Sequence, residues 1–428
     1  MQRVCGVDFG TSNSTVAWHD GSQVRLLTLE DDKPTLPSVI FFNADLDEVA
    51  YGRAALTAYL DGYEGRLMRS MKSLLGTSMM EGHTEVQGRR LPYQQLLTQY
   101  MAELKRRAEG AAGQGFTHAV FGRPVHFVDD DAQADKIAEQ SLQDIARAIG
   151  FQEVAFQFEP IAAALDYESR LSSEELVLVV DIGGGTADFS VIRLSPQGRA
   201  KIDRQDDILS NTGVHIGGTD FDKYLSLQHL MPLLGMGGRL SNGIEMPSAN
   251  YFNLATWHTI NLIYSQKVVR EIQDICRDIA DAELKYRCEC LLHLIEDRDG
   301  HWLALKAEEA KIALSSAPQV QLALERLRSK TQRIPVELSI DQWQLQAALQ
   351  SLFVQLNATI ALALKQAAVL PDQIDTIFFT GGASGVRGLR EDLATLLPRA
   401  KMVQGDVFGS IGAGLAWDAH RRFGCLLP

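Results

Sequence analysis

The feature that most constrains the fold of this chain is a repeat of two short, glycine-rich hairpins at 4–18 and 178–192. In each copy an apolar strand ends in an aspartate, a turn of small residues follows, and a second apolar strand begins. Asp8 corresponds to Asp181, and Gly10 corresponds to Gly183. Small residues allow backbone N–H groups in such turns to face a ligand. The duplication predicts two similar lobes whose turns face each other.

Strand and helix patterns alternate along the rest of the chain. This alternation indicates an α/β protein, and no low-complexity tail or Gly/Ser linker interrupts it. Helices are predicted over 94–109, 129–149 and 160–167, within 256–297, over 341–368 and from 409 onward, with strands over 117–121 and 374–380 and a long loop over 235–253.

Composition and charge exclude several classes of protein. Of the 428 residues, 46% are hydrophobic and 22% are charged, which is typical of a globular protein with about two to four structural units. The net charge of −13 argues against a surface for nucleic acid or anionic membrane. We find no run of 18 apolar residues and no signal peptide. We therefore expect a cytoplasmic protein that binds neither nucleic acid nor membrane.

The five cysteines are odd in number and scattered, so they predict no disulfide framework. Cys288 and Cys290 form a C-x-C pair that suggests a metal site. Only His293 lies nearby, however, and a metal usually needs about four ligands. We expect ordinary thiols on helices in a reducing compartment.

Both hairpin turns have the composition of phosphate-binding loops. Backbone N–H groups at 10–13 and 183–186 could donate to phosphate oxygens, and Asp8 and Asp181 could hold Mg²⁺ through water. Neither turn is a Walker A loop or a Rossmann G-x-G-x-x-G loop. A tight turn without a ligand is the alternative, and it explains the first turn more readily than the second.

Seven segments, in order along the chain, resemble the nucleotide-binding domain of the Hsp70 family within the actin/hexokinase/Hsp70 ATPase superfamily. The resemblance implies a two-lobed actin-like ATPase fold, with duplicated ribonuclease H-like lobes around a nucleotide cleft. The segments are V-D-F-G-T-S-N-S at 7–14, K-S-L-L-G at 72–76, F-E-P-I-A-A-A-L at 158–165, V-D-I-G-G-G-T-A-D at 180–188, I-G-G-T-D-F-D at 216–222, E-E-A-K-I-A-L-S at 308–315 and F-T-G-G-A-S at 379–384.

The resemblance also implies domain boundaries. Lobe I would cover 1–172, with 404–428 returning to it, and lobe II would cover 173–403. The chain stops at Pro428, so we expect no C-terminal peptide-binding domain. The short form and the G-R-P-V segment at 122–125 look most like the YegD-type bacterial relatives of the family.

Residue roles follow from the same resemblance, with ATP or ADP and Mg²⁺ as ligands. Asp8 and Asp181 would bind Mg²⁺ through its waters. Lys72 would orient the attacking water, and Glu159, Asp181 and Thr186 would complete the catalytic water network. The other nucleotide contacts would be Gly10, Thr11, Ser12, Asn13, Gly183, Gly184, Gly185 and Thr186 at the phosphates, and Gly217, Gly218, Glu308, Lys311, Ile312, Gly381, Gly382, Ala383 and Asp406 toward the ribose and base.

Several of these residues also have a purely structural interpretation. The alternatives are a solvated basic patch for Lys72 with Arg66 and Arg69, a helix N-terminal acid for Glu159, a hydrogen bond within the hairpin for Asp188, and helix caps for Asp220 and Asp222.

The chain departs from the family pattern at the adenine. Family members carry two arginines that stack on the base, and here Ile312 and Gly385 occupy those positions, with Ala383 in place of a serine. We expect weak recognition of the base, with a side chain from a neighbouring helix as the alternative platform.

The resemblance implies an Hsp70-like ATP-binding protein with slow Mg²⁺-dependent ATP hydrolysis. Its role would be that of a molecular chaperone or a chaperone-related ATPase, with other chaperones or client proteins as partners. The alternatives are a sugar or acid kinase of the superfamily, and a non-catalytic nucleotide-gated binding or filament-forming protein. No motif for a kinase's catalytic aspartate is evident, and Lys72 with Glu159-Pro160 favours water as the acceptor.

Overall fold

Strands form both copies of the repeat and several short hairpins. The computed structural model describes residues 3–128, 131–328, 336–406 and 409–424. The strands are β1 (Val4–Phe9), β2 (Asn13–His19), β3 (Val24–Leu26), β4 (Thr35–Pro37), β5 (Val39–Asn43), β6 (Glu48–Tyr51), β7 (Gly65–Arg69), β8 (His83–Val86), β9 (Arg89–Pro92), β10 (His118–Arg123), β11 (Glu153–Phe158), β12 (Glu175–Ile182), β13 (Ala187–Leu194), β14 (Ile208–Val214), β15 (Gln319–Leu324), β16 (Val336–Asp341), β17 (Thr376–Thr380) and β18 (Lys401–Gln404).

Helices follow the strands in the alternation that the sequence predicts. Shorter 3₁₀ segments include Met71–Leu74 and Trp257–Tyr264. The α-helices are α1 (Gly52–Leu60), α2 (Tyr93–Ala112), α3 (Ala132–Ala148), α4 (Glu159–Glu168), α5 (Gly218–Leu225), α6 (Ala249–Ala255), α7 (Gln266–Asp278), α8 (Ala282–Glu296), α9 (Gly300–Leu314), α10 (Gln342–Gln366), α11 (Arg387–Leu396) and α12 (Ser410–Phe423).

Contacts between residues divide the chain into two compact units. The lobe boundaries implied by the family resemblance, at 172 and 403, are a different division and stay a prediction. Unit 1 consists of Met1–His215, Ala358–Ser384 and Leu393–Pro428, and unit 2 consists of Ile216–Asn357 and Gly385–Asp392.

Unit 1 contains two sheets with the same topology. The first has the order β11-β10-β1-β2-β3, with β4 also paired to β2, and the second has the order β18-β17-β12-β13-β14. Each sheet joins an antiparallel hairpin to two parallel strands. Asp8 lies opposite Thr15 in the first hairpin, and Asp181 lies opposite Asp188 in the second. The equal order confirms the duplicated α/β fold, and both repeated turns connect central strands.

Helix α12 packs closely against the first sheet and α4. Glycine makes this approach possible, because a Cβ at Gly6 would lie 2.1 Å from the backbone nitrogen of Ala416. A Cβ at Gly414 would lie 1.9 Å from the carbonyl oxygen of Ala162 on α4. Close packing of this kind leaves no space for even one added methyl group. The glycines therefore fix α12 behind the first hairpin.

The predicted elements match the structure in type more often than in their ends. Helix α2 continues through Gly110 to Ala112. Helix α3 begins after Asp131, whose carboxylate accepts hydrogen bonds from two backbone N–H groups of its first turn, and 129–130 lie outside the described residues. The predicted loop is shortened by α6, and the predicted helical stretch is divided into a 3₁₀ segment, α7 and α8. The sequence patterns missed the short hairpins β5-β6, β8-β9 and β15-β16.

Two of the five cysteines form a disulfide in unit 2, so the prediction of ordinary thiols was wrong for them. The bond joins Cys276 on α7 to Cys288 on α8, with a Cα–Cα distance of 5.8 Å. The pair forms because 279–281 return the chain so that α7 and α8 pack side by side. Cys290 is a buried free thiol, and no group of three metal-ligating side chains occurs in the described ranges.

Helix α10 is long and apolar enough to cross a membrane, judged by length and composition alone. In the protein, 44% of its most apolar 18-residue window is buried. A mostly buried core helix of a soluble protein passes the same test, so this observation by itself is weak evidence for a membrane span.

Candidate functional site

The two repeated turns are neighbours in unit 1. A Cβ at Gly184 would lie 1.8 Å from the hydroxyl oxygen of Ser12, so only glycine fits at this point of the second turn. At Gly185 a Cβ would meet nothing within 4 Å. The second turn is closed by the N–H of Gly183, which donates to the carbonyl oxygen of Thr186 at 2.9 Å. The two turns thus meet at Ser12 and Gly184.

Ser38 braces the first turn, and sequence reasoning missed it. Its hydroxyl donates to the carbonyl oxygen of Gly10 at 2.7 Å, and its N–H donates to that of Ser12 at 2.9 Å. The hydroxyl of Tyr100 donates to Ser14, which is itself hydrogen-bonded to Ser38. No local signal identifies Ser38, because it is 28 residues from Gly10 in the chain.

Lys72 and Glu159 form a largely buried ion pair beside the turns. The distance from Lys72 Nζ to Glu159 Oε1 is 2.6 Å, and the side chains are 11% and 13% exposed. Lys72 lies in the 3₁₀ segment that follows Ser70, whose φ of 57° is in the left-handed region. Strained residues of this kind are found at functional sites. The interpretation of Lys72 as a solvated surface residue was therefore wrong.

Glu159 is both the first residue of α4 and the partner of Lys72, so its structural and functional interpretations are compatible. Gly122, at the end of β10, leaves room for it, since a Cβ there would lie 3.2 Å from Glu159 Cγ. The end of β10 thus leaves space for the carboxylate of Glu159, which directly follows β11, the parallel strand beside it.

The carboxylates of Asp8 and Asp181 are electrostatically coupled to this ion pair. Burial, followed by the charge of Glu159, raises the pKa of Asp8 to about 7, although Lys72 opposes the shift. Burial also raises the pKa of Asp181, with further contributions from Glu159, Asp188 and Asp8. Burial alone would lower the pKa of Lys72, but these carboxylates raise it above its usual value. Carboxyl groups outnumber the lysine at this point.

Such a site suits a hydrated cation. Carboxylate oxygens are the preferred protein ligands of Mg²⁺, which keeps several of its waters. The described residues contain no cluster of three ligands for a metal held directly by protein. Asp8 and Asp181, with the two turns beside them, fit Mg²⁺ held through water and phosphate.

Thr186 and Asp188 complete the second turn. The hydroxyl of Thr186 donates to Asp188 Oδ2 at 3.3 Å, which agrees with the structural interpretation of Asp188. The same aspartate also contributes to the raised pKa of Asp181. Asp188 therefore both orders its turn and adds to the negative charge of the site.

The predicted adenosine segment lies directly against the second turn. A Cβ at Gly381, where φ is 79°, would lie 2.3 Å from Asp181 Oδ1. The N–H of Ala383 donates to the carbonyl oxygen of Ile182 at 3.0 Å. Asp406 accepts a hydrogen bond from the N–H of Gly409 at the start of α12. Gly381 and Ala383 thus reach the second turn through backbone packing, and Gly382 lies in the same tight turn.

In unit 2 the structure brings Gly217, Gly218 and Lys311 together. Lys311 Nζ donates to the carbonyl oxygen of Gly218 at 3.0 Å and pairs with Asp222 at 2.7 Å. Asp222 is therefore an ion-pair partner, so its interpretation as a helix cap was wrong. The cap at this point is Asp220, which accepts from the N–H of Gly217 at 3.0 Å.

The model of the Hsp70 protein family matches residues 4–235 and 295–418, which is well over half of the chain. This chain belongs to the Hsp70 family. Members of the Hsp70 family are ATP-binding proteins with the actin-like ATPase fold, and they bind ATP or ADP with Mg²⁺ in general. The matched ranges contain every residue of the candidate site in unit 1.

Two parts of unit 2 are of interest within this Hsp70-family chain. On α9, Glu308 is half-buried, whereas Ile312 is 61% exposed. Ile312 is uncharged, so it cannot stack on a base as a guanidinium group does. A cavity of about 170 Å³ begins one turn further along, at Ser315. Trp343, which is 74% exposed, stands at its edge, and Arg387 lines it two positions after Gly385.

Residues 236–294 lie between the two ranges that match the Hsp70 family. They contain α6, α7, α8 and the Cys276–Cys288 disulfide. This part of unit 2 therefore lies outside the family match, whereas the hairpins of unit 1 lie within it.

Proposed function

We propose that this Hsp70-family protein binds Mg·ATP at the two facing turns of unit 1 and hydrolyses it slowly. The observation that carries the proposal is the buried Lys72–Glu159 pair, which lies among Asp8 and Asp181 near the contact of Gly184 with Ser12, where only glycine fits. Phosphoryl transfer depends on positioning and on charge stabilisation more than on covalent help from the protein. The site supplies both.

Each residue of this group would act through its charge. Lys72 would stabilise negative charge on the transferring phosphoryl group, and Glu159 would hold the lysine in place. Asp8 and Asp181 would hold the waters of Mg²⁺, and bound Mg²⁺ would neutralise phosphate charge. Thr186 and Asp181 would orient the attacking water. The backbone N–H groups of 10–13 and 183–186 would donate to phosphate oxygens.

The base would be held by different means from those that the family pattern predicts. Trp343 is a large, exposed aromatic side chain beside a cavity of about 170 Å³ in unit 2. An engineered protein cavity of about 150 Å³ is large enough for benzene. We propose Trp343 as a stacking surface for a nucleobase within unit 2.

We further propose a chaperone-related role in the cytoplasm, with other chaperones or client proteins as partners. Family membership supports this role, and a buried ion pair beside Mg²⁺ ligands supports hydrolysis with water as the acceptor.

The experiment that tests the function is calorimetric titration of the whole protein with ATP, with and without Mg²⁺, followed by single-turnover hydrolysis. We expect Mg²⁺-dependent binding and slow release of phosphate. Inorganic triphosphate in a parallel titration would measure the contribution of the turns alone. Failure to bind both ATP and triphosphate in the presence of Mg²⁺ would refute the proposal.

A further inference from the structure

The disulfide of unit 2 lies in the part of the chain outside the family match. Cys276 on α7 and Cys288 on α8 are 6% and 0% exposed. The described residues contain two further cysteines, Cys5 and Cys290, which are free and buried. A protein with one disulfide and other free thiols is unlike secreted domains, which are stabilised by several disulfides. In reducing compartments such isolated bonds are usually transient and redox-sensing.

The disulfide is the covalent attachment of α7 to α8. Of its 13 residues only Ile272 and Cys276 are buried. Its two ion pairs, Lys267–Glu271 and Arg277–Asp274, join side chains that are more than half exposed. Exposed pairs of this kind contribute little to stability. Apart from the disulfide, α7 is held by buried Ile272, by half-buried Val268, Val269 and Ile275, and by a hydrogen bond from Gln273 to Glu296 at 3.5 Å.

Helix α8 is anchored independently. It buries six residues along its length, and Arg287 at its side donates to the carbonyl oxygen of Pro232. Loss of the disulfide therefore removes a covalent link from α7 while α8 keeps its packing. Loss of the disulfide would therefore loosen α7 more than α8.

Cys290 is poorly placed to take part in exchange. It lies two positions after Cys288 on α8, and residues two apart on a helix do not face the same neighbour. Burial raises the pKa of its thiol, which leaves little of the nucleophilic thiolate. Cys290 therefore does not supply the attacking thiolate.

We propose that Cys276–Cys288 is a reversible thiol–disulfide exchange site for a dithiol reductant, and that its reduction releases α7 from unit 2. One thiolate of the dithiol attacks Sγ of Cys276, the more exposed of the two cysteines. The S–S bond then breaks, and Cys288 leaves as a thiolate and takes up a proton. The second thiol of the reductant then attacks the mixed disulfide, which frees Cys276 and leaves the reductant oxidised. Two electrons pass to the protein, which ends with two thiols.

The first measurement is a count of free thiols in the denatured protein, before and after treatment with dithiothreitol. With five cysteines and one disulfide, we expect three thiols before treatment and five afterwards. Five thiols in protein purified without reductant and exposed to oxidised dithiothreitol would show that the bond does not form, and the proposal would fall.

The second measurement is hydrogen exchange of α7 and α8 in both redox states. We expect reduction to speed exchange in α7 by at least tenfold and to leave α8 within about twofold of its oxidised rate. Equal exchange of α7 in the two states would overturn the release of α7.

Variants separate this effect from general damage. Cys276→Ser and Cys288→Ser should each reproduce the fast exchange of reduced α7 without any reductant, whereas Cys290→Ser should retain the slow exchange of the oxidised protein. Reduction of the wild-type protein provides the same comparison if one serine variant does not fold. None of these outcomes depends on ATP, so they stand apart from the proposed function.

Discussion

The phosphate side and the base side of this Hsp70-family protein are built on different principles. In unit 1 the turns are held by strand register, by close contacts at Gly184 and Gly381, and by the hydroxyl of Ser38. In unit 2 the positions that the family pattern assigns to the base are single side chains, and Ile312 and Gly385 stand where that pattern predicts arginines. Backbone architecture constrains many residues at once, whereas a stacking side chain can be replaced alone. We therefore expect phosphate binding to follow the family pattern and recognition of the base to depart from it.

The sharpest test of the phosphate side is removal of Lys72. We expect Lys72→Ala to slow single-turnover hydrolysis by at least about 100-fold, an amount typical of losing one electrostatic stabiliser. Binding of ATP should survive, because the backbone of the turns remains. Lys267→Ala, which removes an exposed lysine of unit 2, is the matched control and should hydrolyse normally. An unchanged rate in Lys72→Ala would remove this residue from the mechanism.

A smaller effect is expected from the carboxylates. Asp8→Asn and Asp181→Asn should each weaken Mg²⁺-dependent ATP binding by about 10- to 100-fold, the usual range for a group that orients a metal's ligands. Calorimetry at several Mg²⁺ concentrations measures the change. Asp61→Asn, at an exposed position, is the control. Parent-like binding of Mg·ATP by both variants would mean that the two turns do not act as a clamp.

The base side should respond more weakly. Stacking of a base on an aromatic side chain contributes about 1–3 kcal/mol, so Trp343→Ala should lower adenosine affinity by about 5-fold or more. Affinity for inorganic triphosphate should not change. We also expect micromolar or weaker ATP affinity and little discrimination against GTP, because no arginine stacks on the base. Nanomolar ATP binding with strong rejection of GTP would show a rebuilt and selective base site.

The smallest effect concerns pH and the ligand-free protein. The pKa of Asp8 is raised to about 7 from 3.8, so the folded state holds a proton that the unfolded state has lost between these values. The contribution of Asp8 to stability is therefore complete below about pH 4 and is lost as the pH rises through 7. We expect a loss of about 1–3 kcal/mol between pH 5 and pH 8 from this source. Denaturant titrations of wild type and Asp8→Asn at both pH values measure it, and an equal pH dependence in the two proteins would contradict it.

The sequence predicted those residues of the site whose position depends only on their neighbours in the chain. Asp8, Gly10 and their counterparts in the second hairpin were identifiable because strand, aspartate and glycine occur together within a few residues, twice. Asp220 as a cap is equally local. These features need no knowledge of which distant segments meet.

Distant contacts were not predictable in the same way. Ser38 braces Gly10, and Lys311 pairs with Asp222, across loops whose course no periodicity reveals. Cysteine spacing likewise does not show which faces of α7 and α8 meet, so the Cys276–Cys288 bond was missed. The sequence could establish the elements and the phosphate loops, and the three-dimensional packing was needed for the residues that support them.

The packing of α12 has a consequence for folding during synthesis on the ribosome. Strand β1 is among the first segments synthesised, yet Gly6 packs directly on Ala416 of the last helix. At about 5–20 residues per second, β1 leaves the ribosome roughly 20 to 80 s before α12 can cover it. During that interval one side of the first hairpin is without its native cover. Until α12 is synthesised, the nascent chain therefore exposes the face of its first sheet that packs on this helix.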